Sequence, residues 1–212
     1  MSIKQVLVKL GDKPYYLAIE RELEGIETVL DLGCGADSPL SEVAGNYTSV
    51  GVDLFTKSIE ISKLKKIHDK YIQCDVTKIN EKVKPKSFDV VIALDLIEHL
   101  DKKEGIKLLE KVEKIATKKV IIMTPNGYYD QEPYGGNPYQ VHRSGWSVDD
   151  FQKRGYNVKG IRGLRYLRGE CATLKYRPWF FWGVVASITQ LFLYNFPKFS
   201  YQLFAVKSIN NS

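Results

Sequence analysis

Only three cysteines, Cys34, Cys74 and Cys171, occur in 212 residues. They stand far apart, and none forms the short pair that a zinc or thioredoxin-like site requires, so a disulfide scaffold is excluded and no metal site is expected. A reduced, cytoplasmic chain is the expectation. No continuous apolar core follows Met1-Ser2-Ile3-Lys4-Gln5, which argues against a secretory signal. Internal repeats and low-complexity tracts are absent. Histidine is scarce: His68, His99 and His142 are the whole supply, which limits the choice of a general base near neutral pH.

What is present is ordinary globular material, 44% hydrophobic and 26% charged, which excludes disorder. With about 150 residues per domain as a guide, one domain is expected over 1–212, with N-terminal helices at 1–26, a core at 27–161 and an appendage at 162–212. The net charge of +6 first suggests nucleic acid or an anionic membrane. That charge is concentrated, however. Between Lys153 and Arg177 eight basic residues stand against Glu170 alone, which leaves the rest of the chain at −1. The next 20 residues, Pro178 to Pro197, carry no charge at all.

Short β-branched runs alternate with helical patterns, the mark of stacked βαβ units and a largely parallel sheet. Strands are expected at Thr28–Leu32, Ser49–Asp53, Tyr71–Asp75, Asp89–Leu94, Lys119–Thr124, Asn157–Ile161 and Tyr201–Lys207. One helix should start at Asp101, capped by that carboxylate with Glu104 reaching back, and put Ile106, Leu109, Val112 and Ile115/Ala116 on one face. A second should start at Ser147 with Asp150 completing a capping box, Trp146 and Phe151 as a hydrophobic staple, and Gly155 as its stop. Residues 2–24 read as two short helices separated by Lys13-Pro14.

Val29-Leu30-Asp31-Leu32-Gly33-Cys34-Gly35 is an apolar strand running into a glycine turn, where a ligand can approach the backbone without meeting a Cβ. Asp53 ends the next strand, 20 residues after Gly33, a spacing at which a carboxylate takes ribose hydroxyls. The third glycine of a dinucleotide fingerprint is missing from Gly33-Cys34-Gly35-Ala36-Asp37-Ser38. Asp31 and Asp37 also place negative charge where a pyrophosphate would sit. Adenosine joined to a cationic amino acid fits better, with Asp31 facing the ammonium directly or through water.

These segments resemble the class I S-adenosylmethionine-dependent methyltransferases, in the group with a simple methyltransferase domain, over roughly Val29 to Ile161. The resemblance implies a Rossmann-like α/β fold, a seven-stranded mostly parallel sheet in the order 3-2-1-4-5-7-6 flanked by helices, with S-adenosylmethionine as cofactor. It places Asp31, Gly33, Cys34 and Gly35 along the methionine part of the cofactor, Asp53 and Leu54 at the ribose, Asp75 and Val76 at the adenine, and Asp95 near the methionine again. Glu98-His99-Leu100 opens the next connection. Each acid has a plainer role open to it: Asp75 as a loop cap, Asp95 and Glu98 as solvated carboxylates. Cys34 reads as a small residue in a tight turn.

Methyl transfer from a sulfonium needs mainly an in-line acceptor, and a hydroxyl acceptor benefits from a base. His68, in a lysine-rich helix end, reads as solvent-facing. His142 and His99 are the catalytic candidates. Thr124–Trp146 is a long unperiodic segment, of the kind that forms lids and binding loops. Tyr128, Tyr129, Tyr134, Tyr139, His142 and Trp146 are its candidate acceptor contacts, against simple packing of the loop. The Asp/Asn-Pro-Pro-aromatic run of base-amine methylating enzymes is missing after the fourth strand, so nucleic acid is disfavoured.

Within Pro178–Pro197, Gly183, Ser187, Gln190 and Tyr194 share one helical face and Phe181, Val185, Ile188 and Phe192 the opposite one. An extra amphipathic helix between strands 6 and 7 is therefore expected in place of a membrane span. Arg162, Arg165 and Arg168 read either as a solvated surface or as a receptor for an anionic or lipid-like acceptor, with peripheral membrane contact through residues 162–196. The alternatives to a methyltransferase acting on a small-molecule or lipid-like acceptor are a nucleoside-binding regulatory subunit without catalysis and an NAD-dependent oxidoreductase.

Overall fold

The structure, a computed structural model, describes residues 3–133, 136–169 and 172–209, with side chains from residue 13 onward. Seven strands form one sheet: β1 (Thr28–Leu32), β2 (Thr48–Asp53), β3 (Lys70–Gln73), β4 (Phe88–Leu94), β5 (Ala116–Pro125), β6 (Asn157–Leu164) and β7 (Ser200–Ser208). Their order is β3-β2-β1-β4-β5-β7-β6. The first five run parallel, and β7 is antiparallel to both β5 and β6. The expected order and the mixed edge are both present.

Period-2 alternation divides the core between the two faces of the sheet. Leu30, Leu32, Val91, Ala93, Val120 and Ile122 join one apolar cluster with Leu108, Leu109 and Val112 of helix α3 (Lys102–Ile115). Val29, Val90, Ile92, Ile121 and Met123 point the other way, onto Tyr15, Ala18, Ile19 and Leu23.

Helix α1 (Ile3–Glu22) runs unbroken through Pro14, contrary to the two short helices expected. Proline removes one backbone donor from a helix, and here the buried stripe of Tyr15, Ala18 and Ile19 holds the chain on its helical path past that defect. Asp101 occupies the N-cap of α3 but makes no side-chain cap bond; its carbonyl accepts from Gly105 N, and Glu104 turns toward the cleft described below. The Ser147–Asp150 capping box does form at α4 (Val148–Gln152), and Trp146 stacks on Phe151 at 5.3 Å. Helix α2 (Thr56–Leu64) follows β2.

Helix α5 (Trp179–Leu193) lies between β6 and β7 as expected, but it is turned inside out. A surface helix ordinarily presents its apolar stripe to the core; here Ala186 and Gln190 are the buried positions. A Cβ on Gly160 would stand 2.3 Å from the Leu193 carbonyl, and one on Gly163 2.4 Å from that of Ala186. These two glycines let helix backbone sit directly on β6. Gln190 then bridges the junction, its Oε1 accepting from Gly163 N at 2.8 Å and its Nε2 donating to the Gly160 carbonyl at 2.9 Å. Phe180, Phe181, Val184, Ile188, Leu191 and Phe192, each more than half exposed, form the outer face. Among the described residues no helix is long and apolar enough to cross a membrane.

Candidate active site

A cleft of about 280 Å³ opens at the carboxyl ends of β1, β2, β3 and β4, the place where open α/β sheets bind ligands. Gly33, Asp53, Leu54, Asp75, Val76, Asp95, His99 and Tyr139 all line it. Sequence positions spread over more than a hundred residues are thus brought to one wall.

Gly33 and Gly35 adopt positive φ, +68° and +59°, a conformation open to glycine at little cost. The turn they make aims the Gly35 amide at Asp53 Oδ2, 2.9 Å away, while Asp53 Oδ1 accepts from Phe55 N at 2.8 Å. Two backbone donors therefore hold this carboxylate rigid, with its remaining lone pairs free for a ligand. Asp75 does serve as a cap: its Oδ1 accepts from Thr77 N and Oγ1 at 2.9 and 2.8 Å. It also lines the cleft, so the two roles are compatible.

Asp95 sits at φ +52°, an uncommon conformation for a residue with a side chain, and its carboxylate opens into the cleft. Gln202 Nε2 donates to its Oδ1 at 2.5 Å. The enclosing walls push its pKa up, against the opposing pull of the Arg162 charge and the Gln202 amide. Across from it the Arg162 guanidinium covers the Tyr15 ring at 5.1 Å. Tyr15, Arg162 and Gln202 come from α1, β6 and β7; no local motif announced Tyr15 or Gln202, and Arg162, expected on a surface or at the acceptor, stands over Tyr15 with its charge acting on Asp95.

Two residues expected along the cofactor lie beneath the turn instead of on the cleft wall. Asp31 is 2% exposed; Ser38 Oγ donates to its Oδ2 at 2.5 Å, and burial pushes its pKa up to about 7. Cys34 is buried, its thiol pushed up by burial and by Asp31 and Asp53. His68 is the clearest correction. It is 6% exposed, not solvent-facing, because the absence of a side chain at Gly51 leaves room for its ring.

The long loop is closed at its neck, where Gly127 N donates to the Trp146 carbonyl at 2.7 Å. Asn137, Tyr139, Gln140 and Arg143 reach the cleft from it. Trp146 does not: it is 1% exposed and packs on Gly105, where a Cβ would stand 2.5 Å from its ring. Tyr128 is exposed, its hydroxyl 3.3 Å from the His142 carbonyl. Tyr129 packs against Tyr201, ring to ring at 5.0 Å. Tyr134 and Cys171 lie outside the described residues. His142 is buried beside His99, ring centres 4.8 Å apart, and burial pushes His99 down to about 4. Glu98, between β4 and α3, is 2% exposed, its pKa pushed well up by burial and by Asp95.

Residues 30–123 match the family described as the methyltransferase domain. Solved structures with this fold include an S-adenosylmethionine-dependent methyltransferase from Archaeoglobus fulgidus, 18% identical, TM-score 0.55, covering 98% of this chain and 94% of that one. The methyltransferase domain of bacterial CtHen1-C is 18% identical, TM-score 0.60, covering 94% and 99%. Magnesium protoporphyrin IX methyltransferase from Synechocystis PCC 6803, with bound S-adenosylmethionine, is 14% identical, TM-score 0.52, covering 98% and 85%. No curated protein matches the sequence. Sheet order and cleft are those of the class I methyltransferase fold, and residues 30–123, a little under half of the chain, match the methyltransferase domain.

Proposed function

We propose that the chain methylates a small-molecule or lipid-like acceptor, with the enzyme resting against an anionic membrane through residues 162–196. The observation that carries this reading is the outward apolar face of α5. Contiguous exposed apolar surface of this kind marks an interaction site, and the exposed cations Lys175, Arg177 and Lys198 stand near its ends, the arrangement of an interfacial helix on anionic lipid. In the cleft, Asp53 takes the ribose hydroxyls, Asp75 and Val76 the adenine, and Gly33, Gly35 and Asp95 the methionine end. Asp31 and Cys34 support the turn from below. Catalysis is chiefly alignment of acceptor and methyl group, which in well-oriented cases lowers a barrier by roughly 7–11 kcal/mol. Tyr139, Asn137 and Arg143 are placed to orient the acceptor.

The test is transfer of label from methyl-labelled S-adenosylmethionine into a fractionated cell extract. Label in the lipid or small-molecule fraction is expected. Label in RNA alone would overturn the acceptor class, and that outcome is worth its own fraction because the small RNA methyltransferase HEN1 shares this fold.

A further inference from the structure

Glu98, His99 and His142 bring one potential ligating atom each to within 4.8 Å of one another. The first two follow β4 in the turn Ile97–His99; the third arrives from the long loop, across the carboxyl end of the sheet. The juxtaposition is built by backbone. The Glu98 carbonyl accepts from both Arg143 N and Ser144 N, at 2.8 and 3.0 Å, and His99 Nδ1 bonds the Val141 carbonyl at 3.1 Å. Three hydrogen bonds thus strap residues 141–144 over the Glu98-His99 turn and leave His142 no place except beside His99.

The orientation of the rings carries chemical meaning. His142 Nδ1 lies 2.7 Å from the Tyr129 carbonyl. A carbonyl only accepts, so each Nδ1 facing one must bear the hydrogen, which puts the lone pair of both imidazoles on Nε2. Fixing a histidine tautomer by a carbonyl bonded to its other nitrogen is the usual support of a metal ligand. Glu98 supplies the second, independent sign. Its Oε2 accepts from Thr124 Oγ1 at 2.9 Å, whereas Oε1 is buried with no hydrogen-bond partner among the described residues. A buried carboxylate oxygen with no donor is costly, and a cation bound there removes the cost.

We propose that Glu98, His99 and His142 bind one divalent first-row transition-metal ion at the edge of the cleft. Two imidazoles and one carboxylate favour zinc, cobalt, manganese or iron over magnesium, which prefers oxygen ligands. Bonds of about 2 Å bring ligand atoms to roughly 3 Å from each other, a closure within reach of side-chain rotation. Three protein ligands leave positions open, as in catalytic sites, and His99 borders the cleft. Those positions would take oxygen ligands, water or a hydroxyl of the acceptor. This last role rests on the methyl-transfer reading; binding of the ion does not.

The experiment uses the purified full chain, stripped with chelator and titrated with Zn²⁺ by calorimetry and with Co²⁺ by visible absorption. S-adenosylhomocysteine affinity is measured in parallel. One ion per chain is expected, with affinity at least about tenfold weaker in Glu98→Gln and in His142→Gln while S-adenosylhomocysteine affinity is retained. Should Glu98→Gln not fold, His142→Gln and His99→Gln decide the matter. Absence of stoichiometric metal binding in a chain that binds S-adenosylhomocysteine would overturn the metal site and leave the methyltransferase reading intact. Variants that bind the ion as well as the parent chain would also overturn it. Metal binding without S-adenosylhomocysteine binding would instead count against the cofactor cleft alone.

Discussion

His68 Nε2 lies 3.4 Å from Asp31 Oδ2, with both side chains buried under the glycine turn. The pair has a consequence for stability. Burial lowers His68 from 6.5 to about 4 and raises Asp31 from 3.8 to about 7. Between those limits the native state holds its proton on Asp31, and the unfolded chain holds one on His68 up to its ordinary pKa. The proton counts match, and the two linkages cancel. In His68→Gln only the Asp31 linkage remains. The native state then binds more protons than the unfolded state from about pH 4 to 7, so stability should fall as pH rises through that window. Urea unfolding at pH 4.5, 5.5 and 6.5 checks this, and a parent-like flat profile in the variant would refute it.

Gly163→Ala should loosen α5. The added methyl would meet the Ala186 carbonyl at 2.4 Å, and the residue sits at φ +71°, so both space and backbone oppose it. A loss of about 1–3 kcal/mol is expected, read by denaturant unfolding, with protease cleavage of the 179–193 segment appearing first.

Trp146→Ala should cost about 3–5 kcal/mol, the range for emptying a packed aromatic site. Its indole donates to Ser144 Oγ at 3.0 Å and lies under the Lys102 ammonium at 3.7 Å. Thermal unfolding measures the loss. An acceptor-site residue would instead raise KM with little change in stability.

Leu191→Glu combined with Phe192→Glu should leave unfolding within about 0.5 kcal/mol of the parent, since both side chains are solvent-exposed. The same pair should abolish co-sedimentation with phosphatidylglycerol vesicles, and parent binding should weaken with salt. Equal sedimentation of parent and variant would remove the membrane contact.

Strand positions were legible because β-branched runs bounded by glycine and polar turns leave little choice of secondary structure, and each strand begins or ends within a few residues of its expected limits. Asp53 was legible from its spacing to Gly33 and Asp75 from the resemblance of its segment, and both line the cleft. The long-range features were not. Lysines around His68 mask the pocket that Gly51 opens for it on another strand. Helical periodicity identified two faces of α5, but which one turns inward is decided by Gly160 and Gly163 on β6. The meeting of His99 with His142 depends on hydrogen bonds such as that of the His99 ring to the Val141 carbonyl, across 42 positions, a distance at which spacing rules are silent.

The placement of the cofactor is tested most directly by calorimetry of S-adenosylhomocysteine on the parent chain and on Asp53→Ala, with NAD⁺ as the control. One-site binding to the parent is expected, weakened about tenfold or more in the variant, because charge-assisted hydrogen bonds of this kind contribute about 1.5–3 kcal/mol, and no heat is expected from NAD⁺. Equal affinity in parent and variant, or binding of NAD⁺ without S-adenosylhomocysteine, would contradict it.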